Sequence, residues 1–142
     1  MAYRSQAGQA TLNIRDALLK VTVALPNAGA TANTNGIDLG ALVPYPVTEN
    51  IQVEVVTAAS TAANNKNINF VLQDSADNTT FANIGNLGAP LAIVTGNTTA
   101  HAATTHVYQL PPVTLRYIRA SATGESNGGD ASDGNITVTI LL

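Results

Sequence analysis

The chain has 142 residues, a formal net charge of −3 and no cysteine. That length suits one domain that buries a core without covalent staples. Disulfides and thiolate–metal sites are excluded, and six Lys and Arg residues with no basic run do not make a phosphate-binding surface.

The N-terminal stretch MAYRSQAGQATLNIRDALLKVTVAL has no apolar segment of signal-peptide type behind a basic start, so none is read. No apolar run approaches the length of a membrane span. Synthesis in a host cytoplasm is expected. Residues 1–17 are polar and read as an extended arm, within which Asn13 is a candidate cap for one helical turn over Ile14–Leu18. The remainder, 18–142, reads as a single β-sandwich domain.

From Leu19 onward the apolar residues repeat with period two, the signature of half-buried strands. Leu19, Val21, Val23 and Leu25 share a face, with Lys20 and Thr22 opposite. A short strand is expected over Gly36–Gly40. Ile51, Val53 and Val55 oppose Gln52 and Glu54. Ile68, Phe70 and Leu72 oppose Asn67, Asn69 and Gln73. Weaker strands are expected over Thr80–Ile84, Leu91–Val94, Thr105–Leu110 and Thr114–Ser121. Ile136, Val138, Ile140 and Leu142 alternate with Thr137 and Thr139 in the last strand. Stretches rich in Pro, Gly and Asn (LPNAGATANTNG, LVPYPVTEN, GESNGGDASDGN) punctuate the strands. No helix longer than a turn is expected. The fold class is all-β: an antiparallel β-sandwich of jelly-roll or Greek-key type with about eight strands.

Two acidic loops invite a cation. In DSADN, Asp74 and Asp77 stand three apart, as do Asp130 and Asp133 in GDASDGN. A calcium loop supplies more oxygens at closer alternation, so turn-forming Asp and Asn are the stronger reading. His101 and His106 have no cysteine or G-x-S-x-G elbow to act with. His106 shares a strand face with Tyr108 and reads as packed or surface-lying, and His101 as part of an exposed loop. No catalytic, metal or cofactor site is assigned. Arg116 and Arg119 in TLRYIRA point to opposite faces. Each has the bland option of an acid such as Asp38 or Glu54, or of water. The sharper alternative is an intermolecular contact, since Arg and Tyr are enriched at interfaces.

The segments TNGIDLGAL (34–42), FVLQDSADNTTFANIG (70–85) and LPPVTLRYIRASAT (110–123) occur in this order in the jelly-roll capsid cement, or decoration, proteins of tailed bacteriophages. The chain resembles that family, of the Bordetella phage cement protein-like type, over residues 34–123. The resemblance implies a structural virion protein on the exterior of the capsid that bridges neighbouring major capsid proteins. It implies no catalysis and no cofactor, and makes QDSADNTTF a hairpin turn. The expected partners are the major capsid protein and the chain itself, as a homodimer first and a homotrimer second, with no direct nucleic-acid or membrane contact. Candidate contact residues are Tyr3, Arg4, Gln6 and Arg15 of the arm, with Arg116 and Arg119. The alternative is a receptor- or glycan-binding sandwich of a tail or fibre. Four Tyr, two Phe and no Trp are few for sugar stacking.

Overall fold

The computed structural model describes residues 15–40, 51–59, 67–85, 91–95, 103–126 and 130–141. Among them are ten strands: β1 (Arg15–Ala24), β2 (Thr31–Asn33), β3 (Ile37–Asp38), β4 (Gln52–Thr57), β5 (Asn67–Ser75), β6 (Ala82–Asn83), β7 (Leu91–Thr95), β8 (Thr104–Gln109), β9 (Tyr117–Gly124) and β10 (Asn135–Leu141). One sheet runs β1-β10-β4-β8. In the other, β9 and β5 lie at the centre, with β2 and β3 along the outer side of β9 and β6 and β7 along that of β5. Every ladder is antiparallel.

Taking β2 with β3, and β6 with β7, as interrupted strands leaves eight. The first then pairs with the last, the second with the seventh, the third with the sixth and the fourth with the fifth. This nesting is a long hairpin rolled into two sheets, the jelly roll.

Alternation explains the core. Val21, Val138, Val55 and His106 stand side by side across the first sheet. Ile68, Phe70 and Leu72 of β5 and Ile118, Ala120 and Ala122 of β9 supply the second layer, and all six are buried. Phe70 stands beside Ala122 and Leu72 beside Ala120, so large and small side chains alternate and fill the layer densely. Phe70 meets His106 and Tyr108 with ring centroids 6.0 Å away in each case, and its contact with Tyr108 is edge-on at 69°. His106 is thus a packed histidine. The Tyr108 hydroxyl is buried without a hydrogen-bond partner among the described residues, and burial raises its pKa.

Several local readings need correction. Residues 15–18 are extended within β1, not a helical turn, because Arg15 already lies opposite Leu141. The backbone of Arg15 therefore belongs to the sheet although 1–17 read as arm. Thr114 is not in a strand: its N–H and hydroxyl both donate to Pro111 O, at 3.0 and 2.7 Å, which closes a turn and delays β9 to Tyr117. The strand expected at Thr80 begins at Ala82, since Thr80 N–H is drawn to Asp77. Glu54, expected on a solvent face, is 7% exposed. It sits on an inner strand between Thr139 and Val107.

Candidate functional site

Residues 34–40, 70–85 and 110–123 come together on the β9 side of the sandwich. Thr34 exchanges backbone and side-chain hydrogen bonds with Ala120: its N–H donates to Ala120 O at 2.9 Å, and its Oγ1 accepts from Ala120 N at 3.0 Å. Arg116 donates to Asp38 through Nε and Nη2, at 2.8 and 2.9 Å, while Leu39 N–H donates to Arg116 O. Arg119 donates to Gln73 Oε1 at 2.9 Å and lies over the Phe81 ring, 4.0 Å from its centroid. Gln73 in turn donates to Asn83 Oδ1. Gly36 leaves room for Asn78, whose side chain occupies the place where a Cβ on Gly36 would stand. Asn78 has φ +60°, a left-handed geometry that Asn tolerates.

The acidic loops serve the backbone. Asp77 Oδ1 accepts from Thr79 N–H at 2.9 Å, from Thr80 N–H at 2.8 Å and from the Ser75 hydroxyl at 2.8 Å. Those donors, the Thr80 amide first, hold its pKa far below the usual carboxylate range. Asp130 accepts from Ser132 N–H, and its pKa is lowered by the Ser132 hydroxyl first and by this amide second. Asp74 Oδ2 accepts from Leu115 N–H at 2.9 Å. Among the described residues, no three His, Asp or Glu side chains gather as a metal site. The QDSADNTTF loop is a hairpin turn between β5 and β6, whose register is Gln73 with Asn83 and Asp74 with Ala82.

The exposed surface has an apolar ledge that sequence reasoning missed. Val113 is 81% exposed and Leu115 44%. Val113 and Leu115 line a groove of about 700 Å3 with Leu110, Pro111, Pro112 and Ile84, and Asp74, Asn83 and Gln109 at its polar margin. The available signal was the run LPPVTL, too apolar for an ordinary loop. Of the sequence-derived contact residues, Arg116 is engaged with Asp38 and Tyr117, and Arg119 with Gln73 and Phe81. Tyr3, Arg4 and Gln6 lie outside the described residues, as does His101, and for Arg15 the backbone alone is placed. Phe81 and Tyr117 each carry an arginine over the ring, Arg119 at 4.0 Å and Arg116 at 5.2 Å. Phe70 is buried in the core and Tyr108 packs against it.

No protein-family model matches the sequence, and no curated protein matches it. Among solved structures, the PBSX exported protein XepA superposes with a TM-score of 0.51 at 14% identity, over 99% of this chain and 50% of that one. This chain thus spans half the length of that protein. The CBM27-1 module of Caldicellulosiruptor saccharolyticus, solved with mannohexaose, gives 0.47 at 10% identity, over 86% of this chain and 71% of that one. The VP2 subviral particle of infectious bursal disease virus gives 0.41 at 14% identity, over 93% and 31%. At these identities the shared property is the β-sandwich fold, and the first likeness alone is close enough to carry it.

Proposed function

We propose that this protein is a structural virion component, a cement or decoration protein that binds the outer surface of a tailed-phage capsid and bridges neighbouring major capsid proteins. The observation that carries this reading is the apolar ledge of Val113 and Leu115 over a groove lined by Leu110, Pro111, Pro112 and Ile84. Contiguous apolar surface rimmed by polar groups marks a protein-docking site. Burying it against a second protein releases roughly 25 cal/mol per Å2. The resemblance over residues 34–123 supplies the kind of partner. The arm residues Tyr3, Arg4, Gln6 and Arg15 are proposed as further capsid contacts, and Arg116 and Arg119 as the braces that hold the docking face in shape. The chain acts without cofactor or catalysis, and as a homodimer, with a homotrimer the next choice.

The glycan-binding alternative has less to support it. Sugar recognition uses open aromatic faces, and Phe81 and Tyr117 each have one face under a guanidinium. An image reconstruction of the purified virion tests the proposal. It predicts jelly-roll density outside the shell at capsomer junctions, and density confined to the tail or fibres contradicts it.

A further inference from the structure

Asparagine is chemically labile where its neighbour leaves room. The main-chain nitrogen of the next residue attacks the side-chain amide carbon, and glycine alone brings no Cβ to hinder the attack. Among the described residues, Asn35–Gly36 is the one asparagine–glycine step. The other described asparagines are followed by Ala, Thr, Ile or Phe.

The fold sets Asn35 apart as well. It is exposed and lies between β2, which ends at Asn33, and β3, which begins at Ile37. Leu39 N–H donates to Arg116 O, and Ile37 stands opposite Ile118. That phase points the amides of residues 37 and 39 at β9 and turns the Gly36 amide away from it. Asn33, also exposed, supplies the contrast two positions earlier. Its attacking nitrogen would be that of Thr34, whose N–H is bonded to Ala120 O at 2.9 Å and whose side chain is branched at Cβ.

We infer that Asn35 is a site of spontaneous deamidation and isoaspartate formation in this protein. Solvent base takes the proton of Gly36 N, and that nitrogen forms a bond to Asn35 Cγ. The Cγ–NH2 bond breaks and ammonia leaves with a proton, which closes a succinimide ring. Water then opens the ring. Cleavage between Gly36 N and Cγ gives aspartate, and cleavage between Gly36 N and the Asn35 carbonyl carbon gives isoaspartate. One water enters and one ammonia leaves, with no oxidant or metal required. The isoaspartate main chain is longer by one carbon and falls between two anchors. Thr34 exchanges two hydrogen bonds with Ala120 on one side, and Asp38 holds Arg116 on the other. Gly36 has no slack on the side of the β5–β6 hairpin, because the Asn78 side chain fills the place of a Cβ. The insertion therefore displaces β3 against β9 and loosens the Asp38–Arg116 pair. This inference is independent of the proposed function, since it involves no partner.

Peptide mapping by mass spectrometry of the wild-type chain, aged at mildly acid and mildly alkaline pH, tests it. The mapping is site-resolved, which separates Asn35 from Asn127–Gly128, a step that lies outside the described residues. Asn35 should exchange NH2 for OH at least tenfold faster than Asn33, and faster at the alkaline pH because the attacking nitrogen must lose its proton. Asn35→Gln should stop the conversion at this position and leave the melt unchanged. The aged isoaspartate form, separated by ion exchange, should melt below fresh protein and below an Asn35→Asp variant, which has the new charge without the longer main chain. Conversion at Asn35 no faster than at Asn33 overturns the site. An isoaspartate form that melts with the Asn35→Asp variant overturns its effect on β3.

Discussion

Arg116 and Asp38 are joined by two parallel hydrogen bonds, at 2.8 and 2.9 Å, across 78 positions of sequence. The fork geometry of the guanidinium matches the carboxylate, and it ties the turn before β9 to β3. Arg116 donation holds the Asp38 carboxyl below its ordinary pKa. A depressed folded-state pKa means that the stabilisation is present above the ordinary carboxylate range and is lost as pH falls through the folded value. Both side chains are about half exposed, and water and salt screen the pair. Asp38→Asn is expected to lower the melting temperature slightly at pH 7 and low salt. The difference from wild type should shrink in high salt and disappear in acid. A deficit that persists at low pH would mean that Asp38 acts through something other than its charge.

Asp77 organises the β5–β6 hairpin through one carboxylate oxygen that accepts from Thr79, Thr80 and Ser75. Its pKa is depressed further than that of Asp38, so its contribution persists to lower pH before protonation removes it. Asp77→Ala should lower the melting temperature at neutral pH and loosen hydrogen-exchange protection at Thr79 and Thr80. Asp77→Asn keeps an acceptor and should have a smaller effect. Because that oxygen is committed to backbone donors, a chelator should leave the melt unchanged. A shift of ten degrees on EDTA addition, on the order of 1–2 kcal/mol or more for a domain this size, would contradict the turn account.

Phe70 and Asn69 are neighbours on β5 that face opposite ways. Phe70 is fully buried against His106 and Tyr108, while Asn69 is partly open on the outer face. Phe70→Ala should cost about 3–5 kcal/mol, the range for a buried aromatic truncation. Asn69→Ala should stay within about 0.5 kcal/mol. Chemical denaturation of the two variants measures this, and similar losses at both positions would put the β5 register in error.

Alternation made β1, β4, β5 and β10 legible from sequence, because Leu19–Leu25, Ile51–Val55, Ile68–Leu72 and Ile136–Ile140 each present one apolar face. β2 was not legible. Its three residues lie inside a turn-rich stretch, and they form a strand because Thr31, Ala32 and Asn33 meet Thr123, Ala122 and Ser121 of β9. That pairing is a long-range event with no local signal. Strand parity was expected to send Arg116 and Arg119 to opposite faces, but β9 begins only at Tyr117 and leaves Arg116 outside the strand; Asp38 was one of two acids named for them. Which acid pairs depends on β3 lying against Tyr117 and Ile118. The ledge stayed hidden for a related reason. Thr114 closes a turn on Pro111 where a strand was expected, and that turn leaves Val113 and Leu115 in solvent.

The central claim is capsid binding, and a pelleting assay with expanded, undecorated capsids of the cognate phage tests it most directly. Wild-type protein should pellet saturably with the capsids. Deletion of residues 1–15 should weaken binding, and Val113→Asp should weaken it at least tenfold while leaving the melt close to wild type, since Val113 is 81% exposed. Failure of the wild-type protein to pellet with any such capsid would contradict the account and move the glycan-binding alternative to first place.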